Sequence, residues 1–284
     1  MGTLYIVATP IGNLEDVTLR ALRVLREADW IFAEDTRRTR ILLEHFEIRQ
    51  KTTSLHAHNE TSRIEQILEA LDEDRCVALV SDAGTPLVSD PGARLVAAAS
   101  AAGHRVEALP GPSALLAAWT VSGLSSEQVL FLGFLPRKAG PRRRILEGQR
   151  GRRESFVLFE SPRRVAQTLT EIYEILGDRP ACLARELTKK HEEVLRDPVS
   201  KLAARLGDET LRGECTLVIG GATQEEELAR RWSDREVDQA ILERVAAGAS
   251  VRDLSTELAE HSGRSRRDLY ARAVALRDEG SESG

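Results

Sequence analysis

The chain is short of several things, and each shortage excludes a class. It has 3 cysteines in 284 residues, Cys76, Cys182 and Cys215, odd in number and far apart. That pattern fits neither a disulfide framework nor a zinc site, and no metal site is expected. Each cysteine abuts an apolar run, where a small reduced thiol packs well. Of 40 basic residues only Lys51, Lys138, Lys189, Lys190 and Lys201 are lysine; base composition explains this bias more simply than a demand for guanidinium on phosphate. Residues 1–30 hold no basic stretch followed by an apolar run, because Pro10, Gly12, Glu15 and Asp16 interrupt them. No uninterrupted apolar run approaches the roughly 18 residues of a membrane helix. The expectation is a soluble, cytoplasmic protein with no membrane partner. The chain also lacks G-x-G-x-x-G, which disfavours a nicotinamide or flavin site. A net charge of −5 gives no global sign of nucleic-acid binding, and no DNA partner is expected.

What is present is enough for real cores: 42% of residues are hydrophobic, and the length suits two domains or one with an appendage. Residues 1–123 alternate strand-like runs (4–8, 30–33, 52–55, 76–80, 106–109) with helical patterns (17–28, 36–45, 62–71, 91–102, 112–121). Ser62 with Glu65 reads as a capping box, and Gly103 as a helix stop. Repeated βα units imply an α/β domain with a largely parallel sheet covered on both faces. A second α/β block, 124–225, offers strands at 129–133, 155–159, 181–185, 193–196 and 215–219 and a helix at 163–176. Its close pair around 181–197 reads as antiparallel, so this sheet is expected to be mixed. The boundary falls in 121–126. Residues 233–284 contain no strand; Ser250 with Asp253 and Ser265 with Asp268 start two further helices. This three-helix tail resembles a helix-turn-helix module, and a packing element fits it equally well.

The most informative stretch is Val77-Ala-Leu-Val-Ser-Asp-Ala-Gly-Thr-Pro86, followed by Leu-Val-Ser-Asp-Pro-Gly92. A buried strand runs into residues no strand tolerates, at the carboxyl end where open α/β sheets bind ligands. An ordinary βα turn with Asp as turn-former fits the same residues. Three companion loops belong on the same edge: Ala8-Thr-Pro-Ile-Gly-Asn13, Ala33-Glu-Asp-Thr-Arg-Arg38 and Leu109-Pro-Gly-Pro-Ser113, where Ser113 suits a helix cap. Loops rich in carbonyls and poor in lysine suit a cationic or neutral ligand. Carbonyls hold a sulfonium and its polarised methyl by C–H···O contacts, which points toward S-adenosylmethionine.

Charge is uneven. Residues 136–153 carry eight basic side chains and one acid, Glu147, and their glycines and prolines suggest an exposed, mobile basic loop, an electrostatic footprint for RNA or simply a solvated face. Arg264, Arg266, Arg267 and Arg272 form a second basic cluster, and 225–238 is acidic.

Thr-Pro-Ile-Gly-Asn13, Ala-Glu-Asp-Thr-Arg37, Leu-His-Ala-His-Asn-Glu60, Ser-Asp-Ala-Gly-Thr-Pro86, Leu-Pro-Gly-Pro-Ser113, Gly-Phe-Leu-Pro136, Phe-Glu-Ser-Pro162 and Arg-Glu-Leu-Thr-Lys189 together resemble one family. It is the ribosomal RNA small-subunit methyltransferase I branch of the tetrapyrrole-methylase-like enzymes, matched in order over about 1–221. The resemblance implies a class III methyltransferase fold with the cofactor between two α/β domains, a homodimer, and S-adenosylmethionine-dependent 2′-O-methylation of a decoding-site cytidine in 16S rRNA. Carried onto this chain, it implies a cofactor shell of Pro10, Ile11, Gly12, Asp82, Ala83, Gly84, Pro110 and Gly111, closed by Phe159, Glu160 and Ser161. Asp82 is placed to accept hydrogen bonds from the cofactor's ribose or amino group.

Methyl transfer to a ribose hydroxyl needs alignment and a destination for the hydroxyl proton. Candidates are Glu34 and Asp35, with Asp35 equally a helix N-cap; His56 and His58, on one face if extended; and Glu186 and Lys189, which could equally pair with each other. Arg37, Arg38, Arg142, Arg143, Arg144, Arg163, Arg266 and Arg267 are candidates for RNA, with surface salt bridging as the plainer alternative. A tetrapyrrole methyltransferase of the same fold and a non-catalytic RNA-binding assembly factor are the competing readings.

Overall fold

The computed structural model describes residues 2–56, 59–124, 127–207, 211–223, 232 and 234–281. Of these, the residues up to 147 together with those in 154–220 form one compact unit; 148–153 and those from 221 onward form a second.

The first unit holds two five-stranded sheets. Strands β1 (Thr3–Val7), β2 (Trp30–Ala33), β3 (Thr52–Ser54), β4 (Cys76–Val80) and β5 (Arg105–Leu109) lie in the order β3-β2-β4-β1-β5, all parallel. Alternate residues of the central strands face opposite ways, as the pleat requires. Val7, Ile31, Ala33, Ala78 and Val80 pack with α1 (Leu19–Glu27) and α2 (Thr36–His45). Leu4, Ile6, Phe32, Val77 and Leu79 pack with α3 (Glu60–Asp72) and α4 (Ala93–Ala101). Both faces are covered, so β4 reads as an unbroken apolar run. The chain reverses its direction of winding at the β4/β1 pair, where the carboxyl-end loops diverge and leave a crevice.

The second sheet, β6 (Val129–Phe134), β7 (Ser155–Glu160), β8 (Pro180–Arg185), β9 (Glu193–Pro198) and β10 (Cys215–Ile219), has the order β6-β7-β10-β8-β9. Only β6 and β7 run parallel, so the sheet is mixed, with β8 and β9 antiparallel. Helices α7 (Val165–Leu176) and α8 (Val199–Leu206) bury Leu169, Ile172, Val199 and Leu202 on one face. The other face receives α5 (Ala114–Ser122) and, from the loop after β1, Ile11, which joins Val157, Ala184, Leu187 and Val218. Burying such a side chain contributes about 1.5–3 kcal/mol, so Ile11 ties its loop to the second sheet.

Three local expectations are corrected. Ser62 caps nothing: α3 starts at Glu60 after Asn59, and the Ser62 hydroxyl donates back to the Asn59 carbonyl at 2.9 Å. Asn59 instead accepts from the His56 N–H and donates to the Ser54 carbonyl, closing the turn after β3. Ser113 precedes α5 without a side-chain cap bond. The basic segment is largely a helix, α6 (Ala139–Glu147), because Arg142 and Leu146 form a buried stripe. Arg142 is 3% exposed and its guanidinium grips Glu171 on α7. It also donates to the carbonyl of Arg137 at 3.0 Å, so Arg142 is withdrawn from the RNA-facing set.

The second unit contains α9 (Asp234–Ala246), α10 (Val251–Ser262) and α11 (Arg266–Ser281) around Val237, Ile241, Leu254, Leu258 and Leu269. Ser250 and Ser265 accept from the N–H groups of Asp253 and Asp268, as their spacing implies. Arg264 is bound to the Trp232 carbonyl and Asp234, and Arg272 to Asp238. Arg266 and Arg267 remain exposed on the first turn of α11. No helix among the described residues is long and apolar enough to cross a membrane.

Candidate active site

The loops after β1 and β4 are joined by a two-bond bridge: the N–H of Thr9 donates to the Gly84 carbonyl and that of Gly84 to Thr9, both at 2.9 Å. Gly84 has φ +80° and leaves room for Ile11, which a Cβ there would approach to 3.3 Å. The Thr85 hydroxyl donates to the Pro112 carbonyl at 3.1 Å, drawing in the loop after β5. These loops, the start of α2 and the ends of β6, β7 and β10 enclose a cavity of about 290 Å³.

Its floor is Ile11 and Asp82–Thr85; Asp90, Arg38, Phe159–Ser161 and Gly213–Thr216 form the walls. All four expected loops contribute. Of the expected cofactor shell, Ile11, Asp82, Ala83, Gly84, Phe159, Glu160 and Ser161 line the cavity, whereas Pro10, Gly12, Pro110 and Gly111 do not. Two of those glycines serve packing instead. A Cβ on Gly111 would lie 2.7 Å from that of Ala8, and one on Gly12 would strike Lys189 Cγ and Thr188 Oγ1. Gly12 therefore lets the first loop seat on the loop between β8 and β9.

The carboxylates divide by environment. Asp35 is the N-cap of α2: it accepts from the N–H and guanidinium of Arg37, which hold its carboxyl at about 2. A carboxylate that acidic is a poor proton acceptor at neutral pH, and the role the structure gives Asp35 is that of helix cap. Asp82 Oδ1 accepts from the Asp35 N–H at 2.9 Å, and Oδ2 lies 3.5 Å from Arg38. Glu160 has a fully buried carboxylate satisfied by the Thr168 hydroxyl, the Ser161 N–H and Arg164. Glu186 accepts from Lys189 Nζ at 2.8 Å, which lowers its carboxyl, and from the Glu214 N–H at 3.0 Å. Lys189 also reaches Glu214. The pair is bound internally and braces the cavity wall.

Glu34 and Asp90 behave differently. Burial first, then the charge of Asp82, raises the Glu34 carboxyl. Burial, followed by repulsion from Glu34, pushes Asp90 up to about 6, opposed by a hydrogen bond from the Ser81 hydroxyl. Asp90 is not among the candidates the sequence singles out, although it ends the Leu-Val-Ser-Asp run; its proline-glycine neighbours make it look like a turn residue. The loop holding it is strained: Leu87 and Ser89 have φ +72° and +71°. That conformation is costly for non-glycine residues, and it persists only where the surroundings over-determine it.

His56 follows edge strand β3 and does not line the cavity; His58 lies outside the described residues. Arg37 is engaged with Asp35, Arg143 pairs with Glu174, and Arg144 and Arg163 are exposed. Cys182 and Cys215 are buried free thiols, the latter pushed up to about 11 by burial, an environment that disfavours the reactive thiolate.

The first sheet of five parallel strands is thus followed by a mixed second sheet, with the cavity at the switch point of the first. The chain belongs to the tetrapyrrole (corrin/porphyrin) methylases, whose family model matches residues 3–203. Solved structures agree at the level of fold: cobalt precorrin-4 methyltransferase CbiF, a cobalamin biosynthetic enzyme, has a TM-score of 0.59 at 17% identity over 77% of this chain and 94% of its own. A Thermus thermophilus uroporphyrin-III C-methyltransferase complexed with S-adenyl homocysteine has a TM-score of 0.55 at 20% identity, covering 77% and 97%. Within that family the chain belongs with the proteins called ribosomal RNA small subunit methyltransferase I. It is 42% identical to that of Halalkalibacterium halodurans over 95% of this chain and 93% of the relative. It is 41% identical to that of Synechocystis (99% and 100%) and 43% to that of Mesorhizobium japonicum (98% and 94%).

Proposed function

We propose that this chain is an S-adenosylmethionine-dependent methyltransferase of small-subunit ribosomal RNA, acting on the 2′-hydroxyl of the decoding-site cytidine, position 1402 of 16S rRNA. The observation that carries the reading is an acidic, lysine-free cavity at the β4/β1 crevice in a chain 41–43% identical, nearly end to end, to ribosomal RNA small subunit methyltransferase I proteins.

The cavity suits the cofactor by charge. Among the described residues Asp82, Asp90, Glu160 and Glu214 line it against one cation, Arg38. That balance favours a sulfonium and an ammonium over a polyphosphate. When bound, S-adenosylmethionine supplies a methyl group on positively charged sulfur. Ile11, Ala83 and Phe159 exclude water from the reacting atoms, while Asp82, fixed by the Asp35 N–H, presents its carboxylate edge to donors of the bound molecule. Asp90 is the group best placed to take the hydroxyl proton: it lines the cavity and its proton affinity lies near neutral pH. Burial, and then the charge of Glu34, raises that affinity. The protein works in the cytoplasm, as a homodimer.

The test is methyl transfer from labelled S-adenosylmethionine to small ribosomal subunits from cells lacking this enzyme. Label should appear at one alkali-resistant position of 16S rRNA. Cofactor binding by calorimetry without label on RNA would sink the reading, and turnover of a tetrapyrrole indifferent to RNA would replace it.

A further inference from the structure

Beside the cavity, and sharing Phe134, Glu160 and Ser161 with it, runs a groove of about 550 Å³ completed by Leu135, Pro136, Arg137, Arg163 and Arg164. Three features make it more than a gap between loops. First, Phe134 is 59% exposed, although its neighbours along β6 are partly buried. The pairing of β6 with β7 shifts register between Phe131 and Gly133, and Gly133 has φ +61°. A bulge of this kind re-aims the next side chain, and here it turns Phe134 into the junction of cavity and groove. Its ring rests against Phe159 at 5.6 Å between centroids, which holds it while leaving a face open.

Second, the segment after Phe134 is clamped from below by arginines. Arg164 donates to the carbonyls of Leu135 and Pro136, and Arg142 to that of Arg137. Each clamp is anchored by a carboxylate, Glu160 for Arg164 and Glu171 for Arg142. Third, Arg137 and Arg163 are exposed in the groove, and neither side chain has an ion-pair partner among the described residues. The one carboxylate lining the groove, Glu160, is already neutralised. Two cations with nothing to pair with, on a rigid segment beside an open aromatic ring, match the alternation of phosphate and base in single-stranded RNA.

We infer that this groove is the RNA subsite next to the reacting ribose, with Arg137 and Arg163 on backbone phosphate and Phe134 as the platform on which a base stacks. The inference rests on the proposed RNA substrate. It assigns Arg142 an indirect part: holding the loop that carries Arg137.

The test uses the full-length protein, a fluorescein-labelled RNA stem-loop with the decoding-site sequence, and S-adenosylhomocysteine as a separate ligand. Phe134→Ala should weaken RNA binding roughly tenfold or more, and Phe134→Leu, which keeps apolar bulk without a ring, nearly as much. Arg137→Ala/Arg163→Ala should also flatten the salt dependence, by about 1.4 in the slope of log K against log salt for two phosphate contacts. In the arginine variant, whose side chains lie outside the cavity, S-adenosylhomocysteine affinity should stay within about twofold, a control that also reports folding. Unchanged RNA affinity and salt slope in the arginine variant overturn the inference. So does loss of S-adenosylhomocysteine binding, with RNA binding intact, in Phe134→Leu, which would place the ring in the cofactor site. Failure of the broader reading looks different: the wild-type protein would then bind S-adenosylhomocysteine but not the RNA.

Discussion

Asp90→Asn should make the protein more stable and less active, and the stability change should depend on pH. Folding half-buries this carboxyl beside Glu34 and raises it from its ordinary 3.8 to about 6. At pH 4 and below, Asp90 is largely protonated in the native state and the substitution changes little. As pH rises from 3.8 toward 6 the unfolded chain ionises first, so native stability falls; above 6 both states are ionised and the deficit is constant. The full displacement corresponds to at most about 3 kcal/mol. Asp90 keeps contact with solvent, and screening reduces the expected effect to about 1 kcal/mol. The variant lacks the charge entirely, so it should be about 1 kcal/mol more stable at pH 8 and unchanged near pH 4. Urea unfolding at both pH values reads this directly. If Asp90 takes the hydroxyl proton, kcat should fall by about 10²–10⁴-fold, and the rise of kcat through pH 6 in the wild type should vanish. A variant that is less stable at pH 8, or equally stabilised at both pH values, refutes the burial argument. One stabilised as expected with full kcat shows a strained carboxylate with no part in catalysis.

Asp82→Asn keeps the oxygen that accepts from Asp35 but removes the charge facing the cavity; S-adenosylmethionine affinity should drop about tenfold with under about 1 kcal/mol lost in stability. Equal losses in calorimetry and unfolding would make Asp82 structural. Glu171→Gln leaves the guanidinium of Arg142, 4% exposed, without its counter-charge and should cost about 3–5 kcal/mol, whereas Arg143→Ala, at a solvated pair, should cost less than about 1. Similar midpoints for the two would mean the buried pair is not holding α6. Gly84→Ala adds a Cβ at φ +80° against Ile11 and should cost about 1–2 kcal/mol while weakening cofactor binding. Gly103→Ala, at φ +82° with open space around it, should show comparable strain and unaltered cofactor binding; a matched loss of binding in both would trace the effect to global stability.

The elements legible in the sequence are those whose causes are local. Trp30–Ala33, Cys76–Val80 and Cys215–Ile219 are apolar runs that the folded sheets bury almost whole, and Thr36–His45 begins at its Asp35 cap. What escaped has its cause elsewhere in the chain. Gly140, Pro141 and three arginines look like a loop, yet Pro141 falls in the first turn, where no intrahelical N–H is missed, and Glu171 on α7 supplies the counter-charge for Arg142. Helix α8 is eight residues long, too short for its period to stand out, and is fixed by burying Val199, Leu202 and Leu206. The aim of Phe134 depends on a register shift against β7, which composition does not encode.

The backbone also marks the site more sharply than any motif. Six non-glycine residues among those described have left-handed φ. Glu47 and Asp74 follow the ends of α2 and α3, where such a conformation commonly terminates a helix. The other four fall in two loops: Leu87 and Ser89 in the one that carries Asp90, Glu186 and Thr188 in the one against Gly12. One loop lines the cavity, and the other braces it through the bond from the Glu214 N–H to Glu186. Strain, a carboxyl near neutral pH and a re-aimed aromatic thus converge at the carboxyl ends of β4 and β6. Each is locally unfavourable and tolerated only because both packed sheets hold it, which is the condition under which a fold keeps a functional site.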